Sequence, residues 1–505
     1  MIKLIYRIES DYMSKKRMLI VTSVTLSVVT ISLGIVKLYQ TYALSNYIGT
    51  VTDTGIDVYI NDDSYASIPA NGSSNVYYML TNTNPGTVKY GVAYQTTSGV
   101  TVKVYDTSED PATGTIEEND KKYIKLHLEN KNSTNKTIEL STVLGYENGG
   151  DLVVPSGVTL VTDTYTPPPT AAEYITKLYT TASKTTVTNN SITYNTAPSV
   201  SLMNDRLGGT TTDLDGGNIR YYGANPNNYI YFNCSDYSNQ TSSTCETWRI
   251  IGVFDGKLKL IRGSQIGTYS WDNKDTSTGA ESNFGKNDWT TARLMKLLNP
   301  SDYYTTDSND NNLGQGLYYN SASGKCYSGQ NNATVDCNFT STGIKNDITR
   351  NMIAETTYNL GGWNSNTVYP NLMYEKERGT TVYTGRPTTP WTGKIALAYT
   401  SDYGYAADLN QCKDKTLYDY NNSTCTSNNW MKAIITNNGS NSGWLLTPYC
   451  STSSNVWYVY PVGNVYFNYT VYSAFGAVPV LSLSSELGIE SGGDGSSSNP
   501  YKLSA

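Results

Sequence analysis

The side chains able to carry chemistry in this chain are few and widely spaced. Its single histidine, His127, lies in Tyr123-Ile124-Lys125-Leu126-His127-Leu128-Glu129. Ile124, Leu126 and Leu128 alternate with polar residues, so the run reads as a strand with His127 on its solvent face. Serine and cysteine nucleophiles of the triad type need an imidazole beside them, and this one stands far from any candidate. Zinc sites built on histidine are excluded with them. Six of the seven cysteines fall in local pairs, Cys234 with Cys245, Cys326 with Cys337 and Cys412 with Cys425. None has the C-x-x-C spacing of a redox or zinc site. In an exported chain such pairs read as disulfide-closed loops, with other connectivities left open. Each bridge would contribute roughly 2–3 kcal/mol by loop entropy. Cys450 is left over, as a free thiol or an intermolecular link. Two acidic loops, Asp213-Leu214-Asp215-Gly216-Gly217-Asn218 and Asp307-Ser308-Asn309-Asp310-Asn311, have calcium-binding residue types. Both lack the EF-hand spacing and its terminal acid. They read as solvated turns, with no metal ligand assigned and calcium the one cofactor left open. Acidic residues are plentiful, but nothing marks a particular pair for glycoside hydrolysis.

A stronger signal is a stretch without charge. From Leu445 to Ser485 there is no Lys, Arg, Asp, Glu, His, Gln or Met, in a chain with 16% charged residues. Tyr449, Tyr458, Tyr460, Tyr466, Tyr469, Tyr472, Trp457, Phe467 and Phe475 fill it, among Asn, Ser, Thr, Val and Gly. Rigid aromatics with small polar neighbours are the composition of binding loops, because they offer contact area at low side-chain entropy cost. A β-hairpin in a core has the same composition. Val456-Trp457-Tyr458-Val459-Tyr460 and Val465-Tyr466-Phe467-Asn468-Tyr469 are β-prone runs joined by the turn Pro461-Val462-Gly463-Asn464.

The elements that position these residues follow from the rest of the chain. Its 505 residues suggest two to four domains. A net charge of −7 gives no basic field for nucleic acid. Low charge and 45 tyrosines fit a β-rich extracellular protein. Met18 to Val36 is uncharged, is bounded by Arg17 and Lys37, and is long enough to span a bilayer. Lys3, Arg7, Lys15, Lys16 and Arg17 precede it, so the positive-inside rule leaves residues 1–17 in the cytoplasm, 18–38 as a single-pass anchor and the remainder outside. A signal peptide cleaved after Ala43 is the alternative. Residues 47–165 contain about seven β-prone runs with strong turns at Asn84-Pro85-Gly86 and Glu147-Asn148-Gly149-Gly150, which suggests an immunoglobulin-like β-sandwich spacer. Residues 166–184 form a proline-rich linker and short helix, opened by the capping box Thr170-Ala171-Ala172-Glu173. Residues 185–505 hold the cysteine pairs and the uncharged stretch. There the spacing predicts a hairpin around Asp255-Gly256, a helix bearing Leu294, Met295, Leu297 and Leu298, and a second helix from Asn346 to Asn359.

Three motifs in this last region carry a resemblance: Asn287-Asp288-Trp289 with Leu294 and Leu297-Leu298-Asn299; Gly443-Trp444-Leu445-Leu446-Thr447-Pro448; and Gly476-Ala477-Val478-Pro479-Val480-Leu481. They resemble a bacterial surface domain with a "W…L…LN" helix, a "WLRSP" motif and a "GVRPVL" motif. That domain is similar to the C-type-lectin-like fold of the formylglycine-generating sulfatase-modifying family. The resemblance implies a fold that is mainly β with some α, ending in an α+β C-type-lectin-like domain. Leu446 and Val478 stand where the motifs have arginine, and only Cys450 lies near them, against the cysteine pair of the oxidases. C-type-lectin-like domains are also targets of diversity-generating retroelements, which mutate adenines, often in Asn-type codons. Such codons yield no Lys, Glu, Gln, Met or Trp, and between Tyr449 and Phe475 only Trp457 departs from that rule. Trp457 is then a fixed framework position or a counterexample.

The function expected is that of a membrane-anchored, adhesin-like surface protein. It would bind an extracellular protein or glycan through Tyr449, Asn455, Trp457, Tyr458, Tyr460, Tyr466, Asn468, Tyr469 and Tyr472. The alternatives are a formylglycine-generating-like oxidase or glycan-acting enzyme, and a structural envelope component without a specific ligand.

Overall fold

The structure is a computed structural model. It describes residues 47–48, 56–61, 65–82, 85–146, 152, 154–206, 216–273, 284–305, 315–330, 332–383 and 390–504. The expected anchor at 18–38 and both acidic loops, apart from Gly216 to Asn218, lie outside the described residues. Among those described, no helix is long and apolar enough to cross a membrane. The chain divides into two compact units, 1–167 and 168–505.

In the first unit, alternating side chains build two sheets. One orders Tyr47–Ile48, Ile56–Asn61, Gly72–Asn82, Lys121–Asn130, Val100–Tyr105 and Thr164–Tyr165. The other orders Val158–Leu160, Val88–Gln95, Lys136–Tyr146 and Tyr65–Ile68, with Thr113–Ile116 also on Val88–Gln95. Leu80, Ile124, Leu126 and Leu128 of the first meet Val88, Tyr90, Val92, Ile138 and Leu140 of the second in one core. His127 is a correction to the sequence reading. It points away from that core, as its position in the alternation requires, yet it is only 6% exposed. Thr164–Tyr165 runs parallel to Val100–Tyr105 and lays the Tyr165 ring on the imidazole at 3.6 Å. Asn75 Oδ1 lies 2.8 Å from Nδ1, and burial lowers the imidazole pKa.

The second unit opens with the helix Ala171–Thr181. Its capping box is formed: the Glu173 N–H donates to Thr170 Oγ1 at 3.2 Å and the Thr170 N–H to Glu173 Oε2 at 2.8 Å. Ile175 and Tyr179 are buried from this helix, in the core shared with the central sheet. That sheet orders Thr185–Asn189, Ile192–Ala197, Leu202–Asn204, Ile219–Tyr221, Glu246–Phe254, Lys257–Arg262, Val480–Ser482 and Ile395–Ala396, with Tyr229–Phe232 on Glu246–Phe254. The turn between Glu246–Phe254 and Lys257–Arg262 has φ +49° at Asp255 and +71° at Gly256, the left-handed pair that an Asp-Gly hairpin needs. The three local cysteine pairs are bonded as the spacing suggested. The helix expected over 346–359 is shorter, Asp347–Met352. Thr356–Tyr358 pairs instead with Trp391–Gly393, since a Thr-Thr-Tyr run suits a pleated strand better than a helix interior.

The interior of this unit contains charges. Arg220, in the strand Ile219–Tyr221, donates through Nε to Asp205 and through Nη1 to Asp402 Oδ1 at 2.9 Å. Lys259, two strands away, reaches Asp402 Oδ2 at 2.5 Å. All four side chains are buried. Burial opposes ionisation of Asp402, but Lys259 and Arg220 outweigh it and hold the carboxyl down to about 2. Asp402→Asn leaves Lys259 buried without a carboxylate and Arg220 with Asp205 alone, and a loss of about 3–5 kcal/mol is expected in urea unfolding at neutral pH. The folded pKa lies below the ordinary 3.8. Asp402 therefore contributes its full stabilisation above pH 3.8, and loses it as pH falls toward 2. The gap between wild type and variant should shrink over that window.

Candidate ligand-binding face

The uncharged stretch is built on a five-stranded sheet that orders Thr268–Tyr269, Phe475–Gly476, Gly443–Pro448, Val456–Val459 and Val465–Tyr466. Tyr458 pairs with Tyr466 and Val459 with Val465. Because side chains alternate across a strand, the hairpin divides its aromatics between two faces. Trp457, Val459 and Val465 join one apolar cluster, with Phe467 and Tyr449 packed at its edge. Tyr458, Tyr460, Tyr466 and Asn468 have the opposite parity. Tyr458 joins the other cluster, beside Trp444, with Tyr466 and Phe475 at its edge.

On that second face the rings form a continuous ridge. Tyr418 meets Tyr466 edge-on at 4.6 Å, Tyr460 meets Tyr466 at 5.7 Å, and Tyr466 and Tyr469 flank Tyr458 at 6.3 and 5.5 Å. Phe475 closes it, 5.2 Å from Tyr469. Tyr460 and Tyr469 are 40% and 46% exposed, and Val462 in the turn is 51% exposed. Tyr418 was not foreseen. It lies 48 residues before Tyr466, the ring it meets, on the loop closed by Cys412–Cys425. Only tertiary structure brings it to the ridge.

The nine expected contact residues are thus not one surface. Tyr460, Asn468 and Tyr469 are exposed, and Tyr466 and Tyr472 are partly so. Two are corrected: Trp457 is fully buried and Tyr458 is 1% exposed, so neither reaches a ligand at the surface. Tyr458 holds the ridge from beneath, with its hydroxyl 2.5 Å from Asn468 Oδ1. Tyr449 and Asn455 belong to the far side. The Tyr449 ring stacks on Phe467 at 4.1 Å, and Asn455 Nδ2 donates to the Phe467 carbonyl. Tyr472 stacks on the exposed Phe284.

The loop 449–455 is organised by Asn287. Its Nδ2 lies 2.8–2.9 Å from the carbonyls of Tyr449, Thr452 and Asn455. Trp289, from the same motif, is buried against Trp271 and Trp391. Leu446 and Val478, at the positions where the motifs they were expected to resemble carry arginine, are both core residues. Cys450 is a free thiol, buried against the Thr381 carbonyl at 3.2 Å. Burial pushes it up to about 11, so it is protonated at neutral pH. Among the described residues no three His, Cys, Asp or Glu side chains converge as metal ligands.

No protein-family description, curated protein or solved structure matches this chain. Trp457→Ala should cost about 3–5 kcal/mol, as expected for emptying a large aromatic site. Tyr460→Ala and Tyr469→Ala should each cost about 1 kcal/mol or less. Urea unfolding of the three variants separates framework from surface.

Proposed function

We propose that the protein binds an extracellular ligand, a protein or a glycan, through the ridge formed by Tyr418, Tyr460, Tyr466 and Tyr469 with Asn468. One observation carries this reading: Tyr460, Tyr466 and Tyr469 lie at least partly exposed on an uncharged hairpin, Tyr418 meets Tyr466 from a neighbouring loop, and the buried Tyr458 ring links Tyr469 to Tyr466. Tyrosine rings supply rigid apolar faces with a polar tip, and a contiguous exposed apolar patch marks an interaction surface. In this reading the N-terminal segment anchors the chain in the cell membrane, the immunoglobulin-like sandwich spaces it outward, and the second unit, C-type-lectin-like, presents the ridge. The substitutable positions would be those of a retroelement-diversified repertoire, with Trp457 as fixed framework. The oxidase alternative is less well supported, because the nearby thiol of Cys450 is buried and protonated, whereas thiol redox chemistry needs the thiolate.

The test is binding of the purified chain to glycan and secreted-protein arrays, beside the triple variant Tyr460→Ala/Tyr466→Ala/Tyr469→Ala. A ligand held by wild type and weakened at least about tenfold in the variant supports the reading. Equal binding by the two, or none by wild type, overturns it. Sequencing codons 440–485 across the source population tests diversification separately: adenine-confined changes at these positions are expected, with codon 457 constant.

A further inference from the structure

Four buried or largely buried cations occupy the central sheet, and three have carboxylate partners. Arg220 and Lys259 share Asp402, and Arg220 also holds Asp205. Arg262 grips Glu246 with two parallel bonds, Nε to Oε2 at 3.0 Å and Nη2 to Oε1 at 3.2 Å. Arg249 is the exception. It is 6% exposed, and its bonds go to neutral groups: Nε to Asn228 Oδ1 at 2.5 Å and Nη2 to the Pro226 carbonyl at 3.2 Å. No carboxylate pairs with it among the described residues. The Tyr229 ring covers its Cζ at 3.6 Å, with Trp430 at 5.0 Å. Burial pushes the guanidinium down to about 10, so it stays charged at neutral pH. Arg249 lines a cleft of about 400 Å³ with Tyr229, Thr247, Arg262, Ser264 and Ile434. Glu246 also lines the cleft, but its charge is already met by Arg262.

We propose that this cleft is a second binding site, for a small hydroxylated ligand bearing one carboxylate, of the chemical class of an acidic monosaccharide. The cleft has one unneutralised positive charge, which one carboxylate balances. With an aromatic ring over the guanidinium and its Nε and Nη2 bonded to Asn228 and Pro226, the ligand meets the remaining Nη1 edge, whose N–H groups can donate to a carboxylate. Tyr229, Thr247 and Ser264, which line the cleft, are hydroxyl-bearing residues, and the volume lies at the lower end of the range for small-molecule pockets. The site is independent of the tyrosine ridge.

Calorimetric titration of the full chain with sodium D-glucuronate, D-glucose and sodium chloride at matched ionic strength tests it, in wild type, Arg249→Lys and Thr247→Trp. Saturable binding of glucuronate is expected, with glucose weaker by at least about tenfold. Arg249→Lys keeps the charge but loses the planar fork, and the same loss for glucuronate is expected. Thr247 is exposed, so Thr247→Trp fills the cleft mouth without entering the core, and it decides the matter if Arg249→Lys does not fold. The triple ridge variant should bind glucuronate as wild type does. Heat from glucuronate no greater than from chloride, glucose binding equally well, undiminished binding by Thr247→Trp, or loss in the ridge variant would each overturn the proposal.

Discussion

The second unit depends on one buried carboxylate. Removing Arg220 and Lys259 from water costs several kcal/mol for each ion, and only a well-placed counter-charge offsets it. Asp402 supplies that charge to both cations and also accepts from the Tyr399 N–H at 3.0 Å, which fixes the start of the helix Thr400–Tyr405. The next residue in that helix start, Thr400, donates its N–H to Thr447 Oγ1 at 3.0 Å. Thr447 donates in turn to the buried Glu377 at 2.7 Å, and Glu377 also accepts from Ser401. A continuous polar chain therefore runs from the central sheet, through the helix, to the strand Gly443–Pro448. That strand pairs with Val456–Val459, which carries Tyr458, the ring beneath the ridge. The position of an uncharged surface is set by a charged interior.

Much of this was legible in the sequence, for local reasons. The Asp255-Gly256 hairpin, the Thr170–Glu173 capping box, the short-range cysteine pairs and the 456–466 hairpin are all specified by residues close together in the chain. The burial of His127 was not legible, because the covering ring of Tyr165 arrives on a strand 38 residues later. The helix expected after Asn346 gave way to a strand, because Trp391–Gly393 offered Thr356–Tyr358 a partner that local propensity does not register. Tyr418 joined the ridge through a disulfide loop, again from outside the local sequence.

The uncharged stretch had two competing explanations, and each holds for part of it. Gly443–Pro448 is buried at all six positions and Val480–Ser482 at all three, so there the absence of charge follows from core packing. Between them, alternation in the hairpin sends Trp457 inward and leaves Tyr460, Tyr466 and Asn468 toward the ridge. The sequence held the signal for this split, since Trp457 and Tyr458 are adjacent in a strand and must face opposite ways. It held no signal that Tyr458 would also be covered, which follows from the rings of Tyr466, Tyr469 and Phe475 closing over it. The Arg249 cleft was signalled more faintly, by a cation inside the apolar run Trp248-Arg249-Ile250-Ile251.

The two faces of the hairpin do different physical jobs. Trp457, Val459 and Val465 fix its position through the apolar cluster behind it, so the backbone does not depend on Tyr460, Asn468 or Tyr469 to stay folded. Side chains at positions 460 and 469 can be exchanged at small cost to stability, because surface changes away from core contacts are nearly neutral. Tyr466 is intermediate, since it packs between Tyr418 and Tyr460. Tyr458 sets the limit of that freedom. Its hydroxyl is buried and held by Asn468, and replacing Asn468 with an apolar residue would strand a buried phenol, a penalty of about 1–3 kcal/mol. A surface that varies on such a frame must therefore keep a hydrogen-bonding residue at 468 whenever it keeps tyrosine at 458.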